Sequence, residues 1–269
     1  MSRRRLAWAT DVHLNFLSSS DLAAFFRVLT ATDADAILLT GDIAEAPSLE
    51  RLLGALAEAL ARPVYFVLGN HDFYHGSIAE TRRNAAALSA SSPWLRWLPA
   101  VPPVEIAEDT LLVGVDGWGD GRLGDYARSP VMLNDHVLIE ELAGLGKARR
   151  LEVLHRLGDE AAATLEARLS TVPARCERVI VATHVPPFKE ACWHEGEISN
   201  DDWLPHFTCQ AVGVVLRRAA SSRPARQFEV LCGHTHGEGV ARILPNLVVR
   251  TGGAEYGEPV VQDVLEMKR

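Results

Sequence analysis

Residues 6–13 read Leu6-Ala7-Trp8-Ala9-Thr10-Asp11-Val12-His13, and this stretch decides how the rest of the chain is interpreted. Four apolar residues bounded by polar ones are too few for a helix and predict a short strand buried on both faces. Open α/β sheets present their chemistry where such strands end. Residues two apart point to the same side of an extended backbone, so Asp11 and His13 can close on one metal ion.

Two further apolar runs end in polar motifs, and predicted helices separate the three runs. The runs and their motifs are residues 36–40 with Gly41-Asp42 and residues 63–68 with Gly69-Asn70-His71-Asp72. Residues 22–29 and 49–60 carry apolar side chains at helical spacing behind Ser and Pro start signals. This β-α-β-α-β order predicts parallel strands with right-handed crossovers, so all three motifs should lie on one edge of a sheet.

The pattern returns in the second half of the chain. Residues 178–183 form an apolar run that is followed by His184. Residues 228–232 form another, which is followed by Gly233-His234-Thr235-His236. Shorter strand-like runs bounded by turn residues lie at 94–98, 103–107, 110–115, 239–244, 247–251 and 260–267. Five strand ends therefore carry polar motifs.

The middle of the chain has a different composition. Residues 134–169 are rich in Leu, Ala, Glu and Arg, with a break at Gly144-Leu145-Gly146, and they predict a helical hairpin. We expect residues 119–175 to form a helical insertion, or cap, within one domain of residues 1–269. Inserted segments beside an active edge often help to choose the substrate, so we expect this one to lie there.

Composition excludes several classes of protein. With 48% hydrophobic and 23% charged residues, the chain is typical of a globular protein with a substantial core. A formal net charge of −8 disfavours a nucleic-acid-binding surface, which needs a basic face. No uncharged apolar stretch approaches ~20 residues, and no signal-peptide pattern follows the N-terminus, so we expect no membrane span and a cytoplasmic location. The four cysteines form no C-x-x-C pair, which favours reduced thiols.

The polar motifs together predict a dinuclear metal site. Nitrogen and oxygen ligands without thiolates suit Mn²⁺, Fe²⁺ or Zn²⁺, and their number suits two ions rather than one. Two metal ions ~3.5–4 Å apart can stabilise both the attacking and the leaving oxygen of an in-line displacement at phosphorus. A lone histidine is usually structural, but five of the chain's ten fall in these motifs. Two dications, two aspartates and one bridging hydroxide leave a formal charge of +1, which attracts a phosphoester anion.

The motif order D-x-H, G-D, G-N-H-[D/E], H and G-H-x-H resembles that of the calcineurin-like metallophosphoesterase superfamily. The pattern is similar to that of its bacterial cyclic-nucleotide phosphodiesterase-like branch. The protein serine/threonine phosphatase branch carries an arginine after G-D, whereas Asp42 is followed by Ile43-Ala44-Glu45-Ala46. The resemblance implies an α/β fold, a β-sandwich of two mixed sheets flanked by helices, with the helical insertion.

The resemblance also implies a role for each matching residue. One metal would be held by Asp11, His13 and His236, the other by Asn70, His184 and His234, and Asp42 would bridge both. His71 would not be a ligand but would face the leaving-group oxygen as general acid, with Asp72 orienting its ring.

The function that we expect is hydrolysis of a small-molecule phosphodiester by a metal-bridging hydroxide. Alternatives within the superfamily are a phosphomonoesterase or a nuclease, and a non-catalytic scaffold of the same fold is a further alternative. The sequence identifies neither the native metals, nor the physiological substrate, nor the oligomeric state.

Overall fold

The computed structural model describes residues 3–268. Residues 1, 2 and 269 of the expected domain, residues 1–269, lie outside the described residues. Strands alternate with helices through much of the chain. The strands are β1 (Arg3–Ala9), β2 (Ala36–Thr40), β3 (Val64–Val67), β4 (Leu95–Trp97), β5 (Val104–Ala107), β6 (Thr110–Gly114), β7 (Arg178–Ala182), β8 (Trp193–His194), β9 (Glu197–Ile198), β10 (Gln227–Cys232), β11 (Gly239–Leu244), β12 (Leu247–Thr251) and β13 (Asp263–Lys268). The α-helices are α1 (Ser19–Ala31), α2 (Ala46–Leu60), α3 (Ile78–Ser91), α4 (Asp135–Leu138), α5 (Lys147–Ser170), α6 (Leu204–Phe207) and α7 (Gln210–Ser222).

Two mixed sheets carry the fold. The first sheet has the strand order β13-β1-β2-β3-β4, and the second has the order β11-β12-β10-β7-β6-β5. Within the first sheet β1, β2, β3 and β4 run parallel and β13 is antiparallel. In the second sheet β12, β10, β7 and β6 are parallel, with β11 and β5 antiparallel at its edges. The predicted pair of mixed sheets is therefore confirmed.

The core has three layers, because successive side chains of each strand point to opposite faces of its sheet. Leu6 and Trp8 of β1 pack with Leu112 of β6 and Ile180 of β7 between the two sheets. Ala7 and its neighbours on the opposite face of the first sheet pack against α1, α2 and α3. The outer face of the second sheet packs against α7 and the C-terminal half of α5. Alternate side chains on each strand thus face the other sheet or a helical layer.

Two of the predicted helices begin slightly earlier than their apolar residues indicated. Ser18 is the N-cap of α1, and its hydroxyl accepts a hydrogen bond from the backbone N–H of Asp21. Helix α2 starts at Ala46, with Pro47 in its first turn, where its missing N–H is not needed. Across residues 3–268 we find no helix with the length and apolar character required to cross a membrane.

The predicted helical hairpin at 134–169 is wrong in its first arm. Helix α4 is a single turn, and α5 is the only long helix of that segment. Ile139 is extended and forms a parallel bridge with Gly76, while the N–H of His75 donates to Leu138 O. This pairing stops α4 after one turn. Helix α5 connects the parallel strands β6 and β7, so residues near Asp135, rather than α5, approach the active edge.

Candidate metal centre

The five polar motifs lie together at one end of the two facing sheets. Asp11 and His13 follow β1, Asp42 follows β2, and Asn70 and His71 follow β3. His184 follows β7, and His234 and His236 follow β10, which runs parallel to β7. Contacts between the sheets close the site, since the His234 N–H donates to Asp11 Oδ1 at 3.0 Å. The predicted placement of these motifs at one edge is therefore confirmed.

Three buried side chains form what we call the inner cluster: Asn70, His184 and His234. Asn70 Oδ1 lies 3.1 Å from His184 Nε2 and 2.9 Å from His234 Nδ1. The two imidazole nitrogens are 3.2 Å apart. Three atoms that can each donate a lone pair to a metal thus lie close together, His184 Nε2 once it has lost its proton.

Backbone carbonyls fix which nitrogen each inner histidine presents. Nδ1 of His184 is 2.9 Å from Thr40 O, and Nε2 of His234 is 3.1 Å from His206 O. A ring nitrogen facing a carbonyl must carry the proton, so the lone pair of a neutral ring is on the other nitrogen. In both rings that other nitrogen points into the cluster. Such partners are typical of histidines that hold metals.

The amide of Asn70 is oriented by two residues that the sequence analysis did not assign to the site. Asn70 Nδ2 donates to Asp135 Oδ1 at 2.9 Å and to the Tyr74 hydroxyl at 3.1 Å. The Tyr74 hydroxyl itself donates to the same Asp135 oxygen at 2.6 Å. With its NH₂ group held in this way, Asn70 presents its carbonyl oxygen to the two histidines.

The outer cluster consists of Asp11, His13 and His236. His13 Nε2 lies 3.4 Å from His236 Nε2, which lies 3.6 Å from Asp11 Oδ1. The Thr10 hydroxyl donates to Asp11 Oδ2 at 2.6 Å and helps to fix the carboxylate. The His236 side chain is 23% exposed, whereas those of Asp11 and His13 are buried.

Asp42 lies between the two clusters. Its Oδ1 is 3.3 Å from His184 Nε2 of the inner cluster, and its Oδ2 is 4.0 Å from His13 Nε2 of the outer cluster. Asp42 also joins one metal-competent group with His13 and His71 and another with Asp11 and His184. The seven side chains that we expected to bind metal are therefore all brought together, with one oxygen of Asp42 on each side.

The donor set fits divalent ions. Two ligand atoms each ~2.1 Å from one ion and at right angles are about 3 Å apart, close to the separations of the inner cluster. Imidazole, carboxylate and amide donors without a thiolate match Mn²⁺, Fe²⁺ or Zn²⁺. His13 Nδ1 is buried and has no hydrogen-bond partner within the described part of the chain, so His13 faces the cluster through its Nε2.

Electrostatics differ among the histidines. Burial alone would lower the pKa of His184, but the carboxylates of Asp42 and Asp11 outweigh it and raise this pKa to about 10. Burial lowers the pKa of His13 to about 3, and burial with the neighbouring His184 lowers that of His234 to about 3. His13 and His234 are thus neutral, ready to donate a lone pair, throughout the physiological range.

The backbone is strained where the ligands sit. Nine non-glycine residues between residues 3 and 268 have positive φ, and five belong to the two clusters and their bridge: Asp11, His13, Asp42, His234 and His236. Such strain concentrates at functional sites. Glycine is required beside them, because a Cβ on Gly233 would lie 1.9 Å from Asp11 Oδ2 and one on Gly41 would lie 2.5 Å from His184 Nδ1.

His71 lies at the edge of the site, but Asp72 does not orient its ring as we expected. Both Asp72 oxygens accept backbone N–H groups, one from Ile43 and Ala44 and the other from Gly69. Asp72 therefore ties together the two turns that carry Asp42 and Asn70. The His71 ring instead stacks on Tyr74, with centroids 4.2 Å apart, and its Nε2 is 3.8 Å from Asp42 Oδ2.

A cavity of about 250 Å³ opens over the clusters, and we call it the metal-side cavity. Asp42, Asn70, His71, His234 and His236 line its floor. Its walls come from loops and short elements that the sequence analysis did not assign to the site, and they supply Leu133, Asn134, Asp135, His194, Phe207 and Tyr256. The only sequence signal near Tyr256 is the pair Gly252-Gly253, which indicates a loop but not its position. Burial, with nearby Asp42 and Asp11, raises the pKa of Tyr256 to about 12, so its hydroxyl stays protonated.

Three solved structures have a similar fold but share little sequence with the chain. A phosphopantetheinyl hydrolase from Mycobacterium tuberculosis aligns with TM-score 0.67 and 15% identity over 95% of this chain and 90% of its own. A dimetal phosphatase from Danio rerio aligns with TM-score 0.55 and 16% identity, covering 93% and 87%. A protein from Thermus thermophilus aligns with TM-score 0.55 and 18% identity, covering 99% of each chain. At these identities the likeness shows the fold alone.

No curated protein is significantly similar in sequence to this chain. The sequence profile of the calcineurin-like phosphoesterases, however, matches residues 4–238. The match includes all seven converging side chains and His71. It supports a metal-dependent phosphoric ester hydrolase, in agreement with the geometry of the clusters. The chain belongs to the calcineurin-like phosphoesterase family.

Proposed function

We propose that this protein hydrolyses small-molecule phosphodiesters with two divalent ions. The inner cluster would hold one ion and the outer cluster the other, and Asp42 would contribute one carboxylate oxygen to each. When bound, the two ions would supply positive charge for the phosphoryl oxygens and lower the pKa of the attacking water. The observation that carries the proposal is the convergence of all seven donors on two groups that share Asp42.

His71 is the residue that we assign to the leaving group. It lines the metal-side cavity, and its ring is packed between Tyr74 and the ring of His13, with centroids 4.2 and 4.6 Å away. Water adds to phosphorus, the P–O bond to the alcohol breaks, and the departing oxygen takes a proton from His71. Asp72 has no part in this step; it holds the two turns that carry Asp42 and His71.

The charge of the site favours a diester over a monoester. The formal charge of +1 at the loaded site matches the single negative charge of a phosphodiester. Of the described residues, those that line the metal-side cavity include no lysine and no arginine to balance the second charge of a monoester. The same lack, with a net charge of −8, argues against a nuclease that grips a phosphate backbone.

The test is a substrate panel with defined metal content. Metal-free protein is reloaded with Mn²⁺, and elemental analysis should give two ions per chain. Small phosphodiesters, a phosphopantetheinyl diester among them, and the matching monoesters are then compared by kcat/KM. We expect the diesters to be preferred. A preference for monoesters would favour the phosphomonoesterase alternative, and inactivity of the loaded protein on all of them would favour the scaffold.

A His71 variant separates catalysis from metal binding. His71→Ala should keep both ions and lose roughly 10²–10⁴ in kcat for esters with poor leaving groups. A nitrophenyl ester should lose much less, because its phenolate leaves without a proton. His71→Asn, which retains a hydrogen bond but delivers no proton, is the matched control and should behave like His71→Ala. Equal losses for every leaving group would contradict the general-acid role, and loss of an ion would make His71 a ligand.

A further inference from the structure

A second cavity, which we call the side cleft, opens beside His71 and away from the two clusters. Its volume is about 530 Å³. Four residues line both this cleft and the metal-side cavity: His71, Tyr74, Asn134 and Tyr256. The remaining lining comes from Phe16, Glu45, Leu138 and Gly257. The two cavities therefore share a wall, with His71 in it.

We propose that the side cleft binds the leaving alcohol of the substrate and selects one that carries a flat, uncharged ring. This inference rests on the proposed function, since it uses the assignment of His71 to the leaving group. His71 Nε2 is 3.8 Å from Asp42 Oδ2, so a phosphoryl group held over Asp42 would have its departing oxygen toward His71. The substituent on that oxygen then extends past His71, and the side cleft is the cavity that begins there.

The walls of the cleft are suited to a ring. Phe16 and Tyr256 meet at right angles, with centroids 5.4 Å apart and an interplanar angle of 88°. Both are large hydrophobic side chains left more than half exposed, at 51% and 55%. Two perpendicular rings can offer the face of one and the edge of the other to a flat ligand ring. The cleft volume is also in the range of pockets that hold drug-sized ligands.

The position of Tyr256 is set by the metal site itself. Its ring packs on His13 and His236, with centroids 4.6 and 5.0 Å away. One side of the ring is therefore occupied by the outer cluster, and the remaining surface borders the cleft. A ring in the cleft would contact a side chain that the outer cluster already holds in place.

Charge restricts what the cleft accepts. Glu45 contributes a carboxylate, and within the described chain neither lysine nor arginine lines the cleft. A leaving group with a second phosphate or a carboxylate would be repelled by the Glu45 carboxylate, whose Oε2 is 3.9 Å from His75 Nε2. A ring that bears hydroxyl or amino groups could instead donate hydrogen bonds to Glu45.

The test uses methyl 2-phenylethyl phosphate as the probe. Its two alcohols have similar basicity, so chemistry alone gives little bias as to which P–O bond breaks. If the ring occupies the side cleft, methyl phosphate and 2-phenylethanol should form in excess over methanol and 2-phenylethyl phosphate. A product ratio near one, or the reverse excess, would overturn the proposal.

Variants then identify the walls. Tyr256→Ala and Phe16→Ala should each lower the product ratio roughly two- to tenfold, as expected for one lost aromatic contact. Tyr256→Phe keeps the ring and is the matched control, so its ratio should stay close to that of the wild type. Metal content is measured in every variant, because Tyr256 touches two outer-cluster histidines. Ratios that do not change in either alanine variant would contradict the assignment of these walls.

A charged probe tests Glu45. A para-carboxylate on the phenyl ring of methyl 2-phenylethyl phosphate should lower kcat/KM for the wild type. Glu45→Gln should recover part of this loss in kcat/KM. If Glu45→Gln gives no recovery, the proposed charge selection is wrong. The two levels of failure are distinguishable: a metal-loaded protein that cleaves no ester contradicts the proposed function, whereas one that cleaves diesters without regard to the ring contradicts only the side cleft.

Discussion

The inner and outer clusters each contain three donor side chains, but the protein supports them very differently. In the inner cluster every donor has a second partner: Thr40 O for His184, His206 O for His234 and Asp135 for Asn70. In the outer cluster His13 Nδ1 has no hydrogen-bond partner among residues 3–268, and His236 is partly exposed. The inner donors are thus fixed before a metal arrives, whereas two outer donors depend on packing.

This difference predicts an order of metal affinity. A ligand set whose tautomers and rotamers are already fixed loses less conformational freedom when it binds an ion. We therefore expect the inner ion to be bound more tightly and exchanged more slowly than the outer ion. An ion held by the outer cluster, whose histidines pack against the exposed ring of Tyr256, should be the one lost first to a chelator.

The largest effect should come from Asp42, which belongs to both clusters. Asp42→Ala removes the shared carboxylate and leaves two dications facing each other, so both ions should be lost and activity should fall to background. Elemental analysis and the diester assay measure this together. Asp42→Asn keeps the shape but not the charge, and it should also lose activity. Two tightly bound ions in Asp42→Ala would show that Asp42 is not the bridge.

His236→Ala and His234→Ala form a matched pair, because the two residues are two positions apart on one turn. His236→Ala should lose the outer ion and keep the inner one, and His234→Ala should do the reverse. In each variant the affinity for the lost ion should fall about 100-fold or more, since a direct ligand is removed. Competition with a chelator, followed by elemental analysis, measures the ion that remains.

The sharper expectation concerns the ion that is retained. The ion left in His236→Ala should resist the chelator better than the ion left in His234→Ala, because the inner donors stay fixed by their own partners. Equal resistance, or the opposite order, would remove the distinction between the clusters. Circular dichroism of both variants checks that the fold is intact.

Much of this architecture could be predicted from the sequence, because the strands and their ends are encoded locally. An apolar run followed by a polar motif, as in Trp8 to His13, predicts both a buried strand and the side chains at its end. Parallel order then places the motifs on one edge without any knowledge of long-range contacts. The positions of Asp42 and His184 followed from this reasoning.

The residues around the motifs could not be predicted in the same way. Asp135 lies in a segment of helical composition, and its contact with Asn70 depends on Ile139 pairing with Gly76 far along the chain. His206 contributes only a backbone carbonyl, which carries no sequence signal. Asp72 was assigned to the ring of His71 by resemblance, but its oxygens are occupied by backbone N–H groups that only the folded turns bring close.

Asp135 provides a smaller and more selective test of the inner cluster. Asp135→Ala removes one of the two acceptors that orient the Asn70 amide and the acceptor that fixes the other, the Tyr74 hydroxyl. Affinity for the inner ion should therefore fall about 10–100-fold while the outer ion is unaffected. Both hydrogen bonds converge on Oδ1 of Asp135, so Asp135→Asn can retain them and should restore most of the affinity. If Asp135→Asn binds metal as poorly as Asp135→Ala, the residue acts through its charge rather than by orienting the amide.

The smallest change that we predict, taken per pH unit, is a pH dependence of metal loading that differs between the clusters. In chelator-treated protein the His184 pKa of about 10 keeps this ring protonated at neutral pH. The inner ion needs the Nε2 lone pair, so its binding must release that proton. Because the pKa is raised, the proton is lost as pH rises, and affinity for the inner ion should increase about tenfold per pH unit below pH 10.

The outer cluster provides the contrast, since the His13 pKa of about 3 leaves no proton on that ring to displace between pH 6 and 9. Chelator competition at pH 6, 7 and 8 measures the two slopes. Calorimetry in buffers of different ionisation enthalpy counts the protons released, and one should accompany the inner ion. A flat profile for the inner ion would mean that His184 is already neutral in the metal-free protein, and that Asp42 and Asp11 do not hold the proton there.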